Sequence, residues 1–194
     1  VAFGLLKPGE VTFGNLLRDA GYHTAIAGKW QLGRKPELPK KFGFDEHVLW
    51  QHIRFAPRFA NPGLEFQSQP RDFTSGEYGP DLINQFALDF LTRQAAGMPG
   101  DSGKPFLLYY PMILPHFPHQ ATPDSDDWDP DLRGERKGRD PRHFKDMVRY
   151  MDKLVGKVVD KLDALQLRAN TMVLCVGDNG TNVNIRSQMR GKGI

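Results

Sequence analysis

The 194 residues carry 39% apolar and 25% charged side chains, the balance of one globular domain with a core of its own rather than of a disordered or fibrous chain. Lys and Arg total 26 against 23 Asp and Glu, a formal net charge of +3, and because the bases are scattered among the acids, nucleic acid is not an expected partner. No apolar run approaches about 18 residues, which excludes a membrane-spanning helix, and a single cysteine, Cys175, excludes an internal disulfide and most cysteine-based metal sites.

In chain order, VAFGLLKPGE lacks both an initiating Met and a signal-peptide pattern, so the chain is expected to begin inside a longer protein. Thr12 is placed to cap a helix whose apolar positions Phe13, Leu16, Leu17 and Ala20 recur near every 3.6 residues, with Gly21 as its stop. HTAIAG, from His23, reads as a short strand. Residues 33–77 show little periodicity but hold Trp50, several Phe and Arg, and prolines, and read as a long functional loop. Its Arg54, Arg58 and Arg71 are candidates to contact an acidic sugar, against the plainer reading that loop arginines are solvated. A second helix shows one apolar face at Leu82, Ile83, Phe86, Ala87, Phe90 and Leu91, opened by Pro80 and closed by Gly97.

PFLLYYPMIL, residues 105–114, is a continuous apolar run of the kind a strand buried on both faces requires. Residues 119–142 form a polar, proline-rich loop whose acids do not fit an EF-hand, since Asp129 stands where its glycine belongs. The strongest helical pattern spans 144–165 and leads into a third strand, TMVLCVG, residues 171–177, in which Cys175 reads as core packing. Helices alternating with apolar strands predict an α/β domain, a mostly parallel sheet flanked on both faces by helices.

Ligands of open α/β sheets bind beyond the carboxyl ends of the strands. Those ends read AGKWQLG, PMILPHFPH and GDNGT. Lys29 offers a cation, His116 an acid-base group, and Asp178 with Asn179 hard oxygen ligands, a set suited to a divalent cation and an anionic substrate. Plainer readings stand beside each: Lys29 as a surface charge, His116 as a loop histidine, Asn179-Gly180 as a turn, and Asn179-Gly180-Thr181 as a glycosylation sequon. A phosphate-binding P-loop at Gly28-Lys29 is excluded, because His23 and Trp30 occupy positions that need Gly and Ser or Thr.

Three blocks, VTFGNLLRDAGYHTAIAGKWQLG, KPFLLYYPMILPHFPH and YMDKLVGKVVDKLDALQLRANTMVLCVGDNGT, resemble successive blocks of the type I sulfatases of the alkaline phosphatase-like superfamily, in order and approximate spacing. The resemblance implies hydrolysis of sulfate esters by a formylglycine nucleophile, with Ca²⁺ held by Asp178, Asn179 and two acids from an earlier strand. It implies that Lys29 binds a sulfate oxygen, and that His116 hydrogen-bonds sulfate and protonates the departing oxygen. The substrate would be a sulfated small molecule or a sulfated glycan, and the location periplasmic, extracellular or lysosomal.

The departures are as informative. Most relatives read G-K-W-H-L-G where this chain has Gln31, which hydrogen-bonds but does not shuttle protons near neutrality. No C-x-P-S-R or related motif is present, so the formylglycine is expected outside this chain and residues 1–194 are read as part of a catalytic domain, its fold incomplete. Lys192 in MRGKGI is a candidate for a second family lysine, though it follows Asp178 closely. The alternatives are a phosphatase, phosphodiesterase or phosphonate hydrolase of the same superfamily, or a non-catalytic binder of sulfated glycan.

Overall fold

The computed structural model describes residues 5–7, 9–97, 103–134, 142–178 and 180. Helix α1, Phe13–Asp19, opens on a capping box in which Asn15 and Thr12 satisfy each other's backbone N–H. The Thr12 hydroxyl also donates to the Phe42 carbonyl at 2.7 Å, tying this start to the end of helix α2, Leu38–Lys41. Strands β1, His23–Lys29, and β2, Glu46–Trp50, are followed by a hairpin, β3 Gly63–Phe66 and β4 Gln69–Asp72. Helix α3, Gly79–Ala96, strand β5, Phe106–Tyr109, and helix α4, Phe144–Ala164, complete the elements apart from a 3₁₀ turn at Arg168–Asn170.

The strands form one sheet in the order β4-β3-β2-β1-β5. β1 runs parallel to both its neighbours, whereas β2-β3 and β3-β4 are antiparallel, so the expected mostly parallel sheet is a mixed one. Because side chains alternate along a strand, Ala25 and Ala27 of β1 face α3 and α4, while Ile26 packs with Trp30, Phe42, Phe44 and Leu49 on the other face. Helix α4 buries Met147, Tyr150, Leu154 and Leu162 against the first face, and the Tyr150 hydroxyl donates to Asp81 of α3 at 2.7 Å.

Four expectations are corrected. Residues 33–77 are not one loop: they contain β2, the parallel neighbour of β1, and the hairpin beyond it. The buried position 47 of this strand is a histidine, with Nε2 2.8 Å from the Ser68 hydroxyl, and this breaks the apolar pattern that would mark a strand. The run 105–114 is a strand only at Phe106–Tyr109 and is not buried on both faces: Tyr109 is 40% exposed, and among the described residues β5 is an edge paired only with β1. Pro111 lacks a ladder donor, although its carbonyl still accepts from the Lys29 backbone N–H at 2.8 Å.

Residues 171–177 join no ladder among the described residues; Met172 is 91% and Leu174 80% exposed. Apolar letters alone do not make a strand, because its backbone polar groups need a partner strand. Cys175 is accordingly exposed rather than part of the core.

Candidate functional site

β1 ends at Lys29, paired across from Trp50 of β2, and its backbone N–H donates to the Pro111 carbonyl at 2.8 Å. The preceding Gly28 has φ +136°, and a Cβ there would lie 2.1 Å from the Pro111 oxygen. Only glycine permits that backbone and that approach. The consequence is local and chemical: the ends of β1 and of the chain following β5 lie side by side, which brings Lys29 beside the loop that carries His116.

The charges around Lys29 identify its neighbours. Burial lowers the proton affinity of its ammonium, Arg58 lowers it further, and the Asp178 carboxylate acts the other way. His116 is likewise pushed below the ordinary imidazole value chiefly by burial, with Lys29 and Arg58 adding to the effect, against the Phe117 carbonyl and Asp178. Its Nδ1 lies 2.6 Å from the Phe117 oxygen, much closer than the 3.3 Å to Arg58 Nη1, and the shorter contact is a hydrogen bond when Nδ1 carries the proton and donates. Nε2 is then the nitrogen left for a ligand. Burial, and then Asp178, raise the pKa of Tyr109. Lys29, His116 and Asp178, named from three separate blocks of sequence, thus share one electrostatic neighbourhood.

Of the two readings of Arg58, a contact for an acidic sugar or a solvated loop residue, the solvated one does not hold. It is only 9% exposed, with its guanidinium 4.3 Å over the Trp50 ring and 5.4 Å from that of Phe59, and Nη1 3.3 Å from His116 Nδ1. The aromatic residues flanking it, Trp50 and Phe59, were the available signal, since guanidinium groups stack on rings. Arg54 and Arg71 lie elsewhere: Arg54 pairs with Asp72 and Glu65, and Arg71 stacks on Phe73 and Phe66.

Gln31 and His116 both line a hollow of about 350 Å³, together with Trp50, Gln51, Phe55 and Arg58 among others. The side-chain amide of Gln31 donates to that of Gln51. Asn179 and Lys192 lie outside the described residues. Of the expected metal pair only Asp178 is described, its side chain exposed, and the described residues hold no group of three or more His, Cys, Asp or Glu side chains that could cage an ion. One carboxylate does not fit calcium, which takes six to eight oxygens. No helix among the described residues is long and apolar enough to cross a membrane.

The family model described as Sulfatase matches residues 3–192. The N-acetylgalactosamine-6-sulfatase of Canis lupus familiaris is 33% identical over 180 residues, which cover 85% of this chain and 32% of that protein. The Homo sapiens protein of the same name is 32% identical over 192 residues, 91% of this chain and 34% of its own length. This chain therefore spans about a third of the length of the curated relatives it matches. The crystal structure of Ps i-CgsB in complex with k-i-k-neocarrahexaose superimposes with a TM-score of 0.63 at 23% identity, covering 85% of this chain and 41% of that one, a likeness of fold.

Proposed function

The chain belongs to the sulfatase family, and from that premise we propose that it supplies the sulfate-binding wall of a sulfuric ester hydrolase acting on a sulfated carbohydrate or aryl sulfate. The observation that carries this reading is the convergence of Lys29, Arg58 and His116 with Asp178 at the end of β1. A sulfate monoester brings one negative charge, and cleavage of its ester bond moves charge onto the departing oxygen. The half-buried Lys29 ammonium and the Arg58 guanidinium, stacked on Trp50, stabilise that charge, and preorganised charges of this kind are the main source of catalytic stabilisation in such sites.

In this reading Lys29 binds a sulfate oxygen, and Arg58 completes the positive wall behind His116. His116, with Nδ1 committed to Phe117, presents Nε2 to the ester. When protonated there it donates to the leaving oxygen, and an arriving sulfate favours that form by its charge. Gln31 holds a substrate group by hydrogen bonding and moves no proton. Calcium at Asp178 and Asn179, formylglycine as the attacking group, and Lys192 as a second sulfate-binding lysine belong to the same proposal. The described donors do not make a calcium site by themselves, so no step here is routed through the metal. Residues 1–194 are, on this view, part of a larger catalytic domain, and an exported or lysosomal location goes with it. The relatives named N-acetylgalactosamine-6-sulfatase support a carbohydrate sulfate as substrate.

The test is turnover of 4-nitrophenyl sulfate by the complete protein carrying Lys29→Ala or His116→Ala. Each change is expected to lower kcat/KM by about 10²-fold or more, the usual loss on removing one such stabilising or acid-base group. Unchanged turnover removes that residue from the mechanism.

A further inference from the structure

The hollow beside His116 extends past anything a sulfate group needs. Its far rim is built from two loops locked together by contacts that involve no ligand. Trp30 Nε1 donates to the Gly33 carbonyl at 2.8 Å and Trp50 Nε1 to that of Ala56 at 2.8 Å, while Nε2 of the buried His52 meets the Lys35 carbonyl at 3.0 Å. A rim fixed in advance does not have to be ordered when a ligand arrives.

Three features of that rim point to one kind of ligand. Gln31 and Gln51, at φ 150° and 61°, are joined amide to amide, which uses one Gln31 N–H and the Gln51 oxygen. The Gln31 oxygen and the Gln51 nitrogen remain, one acceptor beside one donor, the complement of neighbouring hydroxyls. Phe55 lines the hollow yet is 63% exposed, an aromatic surface available to an apolar ring face. Arg34 lies with its guanidinium 4.3 Å over that ring. No carboxylate among the described residues pairs with Arg34, so a charged group is held beside an exposed aromatic with its N–H edges unclaimed by an acid.

Resting on the sulfate site proposed above, we infer that Gln31, Gln51, Phe55 and Arg34 form a specificity subsite for a second pyranose ring, joined to the one that carries the sulfate to be cleaved and bearing an anionic group of its own. The amide pair takes ring hydroxyls, Phe55 takes the face of the sugar, and Arg34 takes the second anion. Both amides are uncharged, so this recognition persists across the pH range in which His116 titrates.

The experiment is two-dimensional NMR of the isotope-labelled 194-residue chain. The probes are inorganic sulfate, a disaccharide of a uronic acid with a 6-sulfated N-acetylhexosamine, and the same disaccharide with its carboxyl group methyl-esterified. The disaccharide is expected to shift the side-chain amides of Gln31 and Gln51 and the ring of Phe55. The ester is expected to bind about threefold to fivefold more weakly, the scale of an exposed ion pair. Arg34→Gln should abolish that difference, and Phe55→Ala should weaken both ligands by roughly threefold or more; both residues are exposed, so neither change threatens the fold. Absent shifts at Gln51 and Phe55, or an ester difference that survives Arg34→Gln, overturns the subsite. Sulfate shifts at His116 with none from the disaccharide at Gln51 and Phe55 sink the subsite alone. Disaccharide shifts there, with no response of His116 to sulfate, sink the sulfate site and keep the subsite.

Discussion

Gly28→Ala tests whether the meeting of β1 with Pro111 is what assembles the site. At φ +136° an L side chain is strained, at a cost of about 1–2 kcal/mol. The new Cβ would also start 2.1 Å from the Pro111 oxygen and 2.9 Å from its carbonyl carbon. Backbone cannot rotate away as a side-chain tip can, so the 111 segment must move by on the order of 1 Å, the kind of overpacking that costs about 1–3 kcal/mol. Together these amount to roughly 3 kcal/mol, or a fall in Tm of about 6–12 °C for a chain of this size.

Gly21→Ala separates the two contributions, since Gly21 has φ +91° but nothing within 4 Å of its added Cβ; it should show only the conformational part. Urea denaturation of both variants measures the difference. A loss at Gly28 no larger than at Gly21, or an unchanged His116 NMR signal in Gly28→Ala, would refute the idea that this close approach sets the site's geometry.

Acid stability turns on His47. Burial, with His52 and Lys40 adding, pushes its imidazole down to about 4, so the unfolded chain binds the proton more readily between there and about 6.5. Stability is therefore full above about 6.5 and falls as pH drops toward 4, by about 2 kcal/mol between pH 7 and 5 from this residue; His47→Gln should remove that slope in denaturant titrations at the two pH values, and an unaltered slope would contradict the assignment. Calorimetric titration of the chain with CaCl₂ should give no micromolar binding, because the described donors fall far short of the six to eight oxygens calcium takes.

What could be read from the letters follows from what kind of signal each element leaves. Helix α4 was legible because its apolar stripe recurs over five turns, and α1 because Thr12 and Gly21 punctuate it. β2 was not, because five residues beginning Glu-His carry no clear period, and its strandhood depends on pairing with β1 from Ala25–Glu46 through Lys29–Trp50. Residues 171–177 differ in the opposite direction: the apolar run is real, but pairing is a property of two strands, and among the described residues none pairs with it.

At the site, Lys29, His116 and Asp178 were visible because each follows an apolar run directly. Arg58 stood out only as one of three loop arginines that could meet an acidic sugar, because what separates it from Arg54 and Arg71 is its place over Trp50 and beside His116, 58 residues away in sequence, and no local pattern encodes such a distance. Gln31 was visible as a departure from a resemblance, yet its amide partner Gln51 was visible in neither way.

The uncovered run at 171–177 also bears on how this polypeptide behaves at high concentration. Val173, Leu174 and Val176 lie exposed in an extended segment, and the outer edge of β5 is unpaired among the described residues. A bare edge and a loose apolar ribbon are complementary halves of intermolecular sheet growth. A lysine placed among residues 171–177 is expected to act as a gatekeeper against such growth without touching the core.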